Sequence, residues 1–247
     1  MDAYCISLKK NKEKWPQLIE TIKKNGFEKI EIFEAVNGKE LQPSHLLSVW
    51  SLYNLTKNVE RKEHAQLGSW GAVGCYLSHA LIWERMVEKN IQKCIIFEDD
   101  VKFYSNFKEE FEKVVEFIPK DADVVFLDLL WCENKIDVNE YVKKIDGQFF
   151  GTHAYIITLE AAKKFLSKIL PIEIQIDSYM SYFSLENNMN MYTLKNLCTQ
   201  KIHISSIQKP CVICDLSSKK FKLYIYLVLF LIMMLITCLV FFSTRCC

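Results

Sequence analysis

The chain has 247 residues, half of them apolar and a quarter charged, with 31 basic and 30 acidic side chains. That balance excludes the basic surplus of a nucleic-acid footprint, and the length suffices for one sizeable core with at most a small appended lobe. The excess hydrophobicity sits in Leu223 to Phe242, twenty residues without a charge, which as a helix span about 30 Å, the thickness of a bilayer's hydrocarbon core.

Ala3 to Leu8 reads as a first strand, closed by the run Lys9-Lys10-Asn11-Lys12. Pro16 fits the first turn of a helix that runs to Asn25-Gly26, a natural C-cap. Ile30 to Ala35 alternates as a second strand, ended by Asn37-Gly38. This β-α-β alternation favours a parallel sheet with flanking helices. Residues 39–67 read as short helices and a polar loop, long enough to face an acceptor. Gly71-Ala72-Val73-Gly74 opens a helix to about Asn90 with two apolar stripes, one of them carrying Cys75, His79 and Trp83, so much of it is buried.

Cys94 to Val101 follows, and the rest of the chain is organised around it. Its apolar run suits a strand buried on both faces, and its end is Glu98-Asp99-Asp100. The last residues of such a strand reach the carboxyl edge of the sheet, where open α/β folds place ligands. Three adjacent anions oppose one another's ionisation, and a divalent cation reverses that penalty, hard oxygens suiting Mg²⁺ or Mn²⁺, which also bridge phosphates. The plainer reading is a solvated acidic turn.

Beyond it come a charged helix over 106–118, a strand over 123–129, a polar loop over 132–146 and a strand over 149–157. Thr158 caps a helix through Leu170, Asp177 precedes another over 178–183, and short strands lie near 191–194 and 198–204. Lys219, Lys220 and Lys222 precede the apolar segment and only Arg245 follows it, which places the large N-terminal part on the cytosolic side of a single-pass tail anchor. The opening MDAYCISLKK shows no signal peptide. The sequon Asn54-Leu55-Thr56 is usable only by a lumenal domain. Cys211-x-x-Cys214 lacks the second pair of a zinc ribbon, Cys246 and Cys247 are candidates for lipidation, and Cys5, Cys75 and Cys94 read as small hydrophobes.

Taken singly, the other polar features have plain explanations. Gly71 and Gly74 could admit a phosphate to backbone N–H groups, or simply allow tight helix packing. Ser78-His79 reads first as buried core, and Asp177 as a helix cap.

Their order and spacing carry more. The stretch GAVGCYLSHALIWERMVEKNIQKCIIFEDDV (71–101) resembles the signature block of family 25 glycosyltransferases, the group of lipopolysaccharide-type and collagen-hydroxylysine galactosyltransferases. YCISLKKNKEKW is similar to the family's first strand, with Ser7 where Asn is usual. GTHAYIITLEAAKKFL (151–166) and IQIDSYM (174–180) are similar to its later blocks, with the usual proline displaced to Pro171. The resemblance covers roughly residues 3–207. It implies a Rossmann-like GT-A fold with a mainly parallel central sheet over 1–207, then a linker (208–222), a transmembrane helix (223–242) and a short tail (243–247). It further implies transfer of a hexose, galactose or glucose, from a UDP-sugar to an acceptor hydroxyl with inversion, with Mn²⁺ or Mg²⁺ as cofactor.

By that resemblance Glu98 and Asp100 hold the metal, on one face of the strand with Asp99 turned away. Asp177 is the base, with Glu173 as its alternative. Gly71, Gly74, Ser78, His79 and Asp99 lie on the donor side, and Ile6, Ser7, Leu8 and Lys9 line the nucleotide. The acceptor is a glycan, a lipid-linked species or a protein, reached at a membrane. A degenerate member that binds nucleotide-sugar or a partner without turnover is the alternative. A nucleotidyltransferase would need a glycine-rich loop after the first strand, where this chain has Lys9-Lys10-Asn11-Lys12.

Overall fold

The computed structural model describes residues 1–42, 45–195 and 197–200. The linker, the apolar segment 223–242, the tail, the Cys211-x-x-Cys214 pair and residues 201–204 of the last expected strand lie outside the described residues. Among the described residues no helix is long and apolar enough to cross a membrane.

The chain runs β1 (Asp2–Ser7), a 3-10 segment (Lys9–Lys14), α1 (Trp15–Lys24), β2 (Ile30–Glu34), a 3-10 turn (Gly38–Glu40), α2 (Val49–Thr56) and α3 (Trp70–Glu88). Then come β3 (Lys93–Glu98), β4 (Val101–Phe103), α4 (Phe107–Val114), β5 (Val124–Phe126), β6 (Trp131–Cys132), β7 (Lys135–Asp137), β8 (Val142–Ile145) and β9 (Phe149–Phe150). β10 (Ala154–Thr158), α5 (Leu159–Leu166), α6 (Ile176–Glu186), β11 (Met191–Leu194) and β12 (Cys198–Gln200) complete it.

One eight-stranded sheet has the order β2-β1-β3-β10-β5-β11-β8-β7. The sheet is mixed. β2, β1, β3, β5, β11 and β7 point one way, and β10 and β8 run against them. Its centre is apolar on both faces because successive side chains of a strand alternate. Tyr4, Ile6, Cys94 and Ile96 pack with Trp83, Phe165 and Met180 of α3, α5 and α6. Ala3, Cys5, Ile95 and Phe97 pack with Ile22 of α1 and Phe107 and Phe111 of α4. Burying each such large side chain stabilises the fold by about 1.5–3 kcal/mol.

Several boundaries differ from the sequence reading. The strand expected over 149–157 is two pieces, because Gly151 turns the chain at φ +115°. Phe149–Phe150 pairs with Trp131–Cys132 in a separate ribbon, and Ala154–Thr158 enters the main sheet. Residues 132–146, read as a polar loop, contain β7 and β8, which close one edge of the sheet. The helix expected through Leu170 ends at Leu166, and Asp177 lies within the first turn of α6 rather than ahead of it. Asn54 of the sequon is buried in α2, only 4% exposed, so the folded chain does not present it.

Candidate active site

The carboxyl ends of β1 and β3 lie side by side, with Ile6 opposite Glu98. β10 runs the other way, so the residues that precede it, Thr152 and His153, come to the same edge. The N-terminal turn of α6 adds Asp177, and β12 adds Gln200. Together they border one cavity of about 1480 Å³ that takes in Glu98, Asp99, Asp100, Thr152, Asp177 and Gln200.

The three carboxylates turn to three different elements. Asp99 Oδ2 accepts from Ser7 Oγ at 2.7 Å and from Asn11 Nδ2 at 3.0 Å, while Trp15 Nε1 donates to Ser7 Oγ at 3.0 Å. Asp99 therefore fastens the turn after β1 to the tip of β3. Glu98 Oε1 accepts from Thr152 Oγ1 at 2.7 Å and lies 3.4 Å from Nε2 of His79. Burial by itself opposes ionisation of Glu98, but His79 and the Thr152 hydroxyl outweigh it and hold the carboxyl below its ordinary value.

Asp100 has the opposite balance. Burial, then the charge of Glu98, outweigh the hydrogen bond from Gln200 Nε2 (2.8 Å) and push its pKa up to about 6. Its second oxygen, Oδ1, is buried without a hydrogen-bond partner. His153 stands close by, with Nε2 3.5 Å from Asp128 Oδ2 and both side chains buried. Strand alternation placed Glu98 and Asp100 on one face, but β3 ends at Glu98, and Asp99 and Asp100 belong to the turn beyond it.

The remaining expected residues divide. Ile6, Ser7, Leu8, Gly71 and Ser78 border the cavity, as does Cys75, read from the sequence only as a small hydrophobe, whereas Gly74 and Lys9 do not, and Lys9 instead lies 3.5 Å from Glu34. Gly74 packs against the turn after β2. A Cβ there would stand 2.4 Å from the Val36 carbonyl oxygen and 2.7 Å from the Gly38 nitrogen, so its lack of a side chain serves packing. Ser78 ties the same turn, since Oγ accepts from the Val36 N–H (2.9 Å) and donates to the Gly74 carbonyl (2.7 Å). His79 is wholly buried behind Glu98, with Nδ1 2.9 Å from the Tyr155 hydroxyl, to which Trp83 Nε1 donates at 3.1 Å.

Asp177 borders the cavity and Glu173, which is exposed, does not. One Asp177 oxygen accepts from the Ser178 N–H at 2.7 Å, and the other lies 3.4 Å from Nε2 of His64. The His64 ring packs on Phe150, with centroids 3.8 Å apart, and its carbonyl accepts from the Gln175 side chain.

Sequence reasoning missed Asn11, His64, Thr152 and Gln200. Thr152 lay within a recognised block, and its proximity to the strand pairing with β3 was the available signal. Asn11, His64 and Gln200 sit in irregular or short elements with no pattern to mark them.

A family model described as "Glycosyltransferase family 25 (LPS biosynthesis protein)" matches residues 1–180. Procollagen galactosyltransferase 2 of Mus musculus is 28% identical over 184 residues, covering 70% of this chain and 29% of that protein. A glycosyltransferase 25 family member of Anopheles gambiae is 30% identical over 181 residues, covering 69% and 30%. Inactive glycosyltransferase 25 family member 3 of Mus musculus is 25% identical over 201 residues, covering 71% and 32%. The chain thus spans about a third or less of the length of these curated relatives.

Proposed function

The chain belongs to glycosyltransferase family 25, and on that premise we propose that it transfers a hexose, galactose or glucose, from a UDP-sugar to an acceptor hydroxyl with inversion, using Mn²⁺ or Mg²⁺. The observation that carries this reading is Asp100: a carboxylate on the cavity wall, pushed up to about 6 by burial and neighbouring anions, with one buried oxygen lacking any partner. A hard divalent ion fits that oxygen and relieves the repulsion. Asp100, joined by Glu98, would hold the ion, and its charge would offset the charge that develops on the departing diphosphate.

The protein's own groups account for the rest. Ile6, Ser7 and Leu8 offer a wall to the nucleotide, braced by the Ser7–Asp99–Asn11 contacts. Asp177 takes the proton of the acceptor hydroxyl as that oxygen bonds to the anomeric carbon and the sugar–diphosphate bond breaks. Its Ser178 contact fixes one oxygen, which leaves the oxygen beside His64 to act. Proton removal by such a group contributes about 10²–10⁴-fold.

The test is donor hydrolysis and transfer from UDP-galactose and UDP-glucose with Mn²⁺, comparing the chain with Asp100→Ala. Full activity in the variant overturns the assignment of Asp100. A second reading is supported by the engagement of Asp99 and Glu98 in internal contacts and by a relative whose name calls it inactive. On that reading the chain binds UDP or a partner without turnover, and calorimetry finding UDP binding beside no transfer to any acceptor decides for it. We further propose that Leu223 to Phe242 tethers the domain on the cytosolic side of a membrane. Because Asn54 is buried, protease protection in sealed membranes tests this better than glycosylation.

A further inference from the structure

Behind the acidic tip lies a second set of donor atoms, of a different chemical kind. Cys75 and His79 stand one turn apart on α3 and so share a face. The sulfur of Cys75, a ring nitrogen of His79 and a carboxylate oxygen of Glu98 all lie within 4.8 Å of one another. His79 is wholly buried, and the one contact of its Nε2 given by the structure is the ion pair with Glu98 Oε1 at 3.4 Å, with no well-formed hydrogen bond beside it. The Tyr155 hydroxyl, itself held by Trp83, fixes the other ring nitrogen, so Nε2 is the atom the ring presents. An outer partner of this sort is what orients a metal-binding imidazole.

We propose that Cys75, His79 and Glu98 form a Zn²⁺ site. The donor set is sulfur, nitrogen and oxygen, which suits zinc rather than the oxygen-preferring Mn²⁺ or Mg²⁺. Zinc ligands at about 2.0–2.3 Å from one ion stand roughly 3.5 Å apart in a tetrahedron, so the His79–Glu98 pair, at 3.4 Å, is already at that spacing and the Cys75 sulfur closes by at most about an ångström. Cys75 and Glu98 border the cavity, which supplies a route in and leaves a fourth position open to water or a ligand. The Cys75 thiol gives up its proton to solvent as the zinc–sulfur bond forms. Glu98 is thus within reach of either ion, and zinc bound here would withdraw it from the ion proposed at Asp100.

The experiment reads metal alone and needs no turnover, so its failure is distinct from failure of the transferase reading. The full chain, stripped of metal, is titrated with Co²⁺ as a coloured stand-in for Zn²⁺. One equivalent is expected to produce thiolate-to-cobalt charge-transfer absorption that Zn²⁺ abolishes. Cys75→Ser, nearly isosteric at a half-buried position, is expected to remove that absorption. Glu98→Gln is expected to weaken binding by more than about tenfold, the scale seen even for lost outer partners. The double variant Cys211→Ser/Cys214→Ser and Asp100→Asn are expected to retain the absorption. Absence of the absorption in the unsubstituted chain, its survival in Cys75→Ser, or its loss in the Cys211/Cys214 double variant overturns the proposal.

Discussion

Replacing Asp100 by Asn is expected to stabilise the metal-free protein, although it removes a residue assigned to the site. The carboxyl's pKa rises from an ordinary 3.8 to about 6 on folding, first through burial and then through the charge of Glu98. A carboxyl that is harder to ionise when folded weakens the fold as pH rises, because the unfolded chain gives up that proton first. The penalty is absent well below 3.8, grows between about 4 and 6, and is complete at pH 8. A displacement of about 2 corresponds to roughly 3 kcal/mol, which partial exposure of the group reduces to about 1–2 kcal/mol. Asn keeps an acceptor for Gln200 and carries no charge. For a domain of this size the gain appears as about 2–8 °C in Tm at pH 8, and about half of that at pH 5. The assay is thermal unfolding in EDTA, followed by tryptophan fluorescence at both pH values. Added Mn²⁺ is expected to raise Tm of the unsubstituted protein at pH 8 and to leave Asp100→Asn unmoved. An unchanged or lowered Tm in EDTA, or an equal gain at pH 5 and pH 8, refutes the disfavoured ionisation of Asp100 on which the metal assignment rests.

Gly74→Ala drives a Cβ into the Val36 carbonyl and the Gly38 nitrogen, and because neither is a flexible side chain it is expected to destabilise by about 3 kcal/mol, read as a falling midpoint in urea. Ser7→Ala strands the Trp15 N–H and removes one of the two donors to Asp99. It is expected to lose about 1–2 kcal/mol of stability and to weaken UDP binding in calorimetry, whereas Asn11 alone sustaining full affinity would count against the brace. Asp177→Asn is expected to lower kcat about 10²–10⁴-fold with the donor KM little changed, because the role proposed for it is on the acceptor hydroxyl and not on the nucleotide. A larger effect on donor KM than on kcat would move Asp177 out of the role of base.

The parts of the fold that could be read beforehand are those whose surroundings repeat. β1 and β3 are buried on both faces, so their apolar runs are continuous and their presence and direction follow from the sequence alone. α3 is apolar nearly all round for the same reason. The hairpin of β7 and β8 was illegible because it lies at the sheet's edge, where most of its side chains are exposed and alternation has no core to answer to. At the site, the identity of the edge was legible and the partners were not. The rule that alternate residues share a face holds only while the strand lasts, and β3 stops one residue into the acidic triple. Past that point each carboxylate goes to whatever donor the neighbouring element offers: Ser7 and Asn11 for Asp99, Thr152 and His79 for Glu98, Gln200 for Asp100. Those five donors come from four segments far apart in the chain, and four of the five carry no charge that would single them out. The glycines fall between the two cases. Gly38 and Gly74 each read as a turn or a helix start, and only their mutual contact, in which a Cβ on either would meet the other segment's backbone, explains why both positions lack a side chain. Two neutral-looking residues thus set how closely α3 approaches β2, and with it where Cys75 and His79 stand behind Glu98.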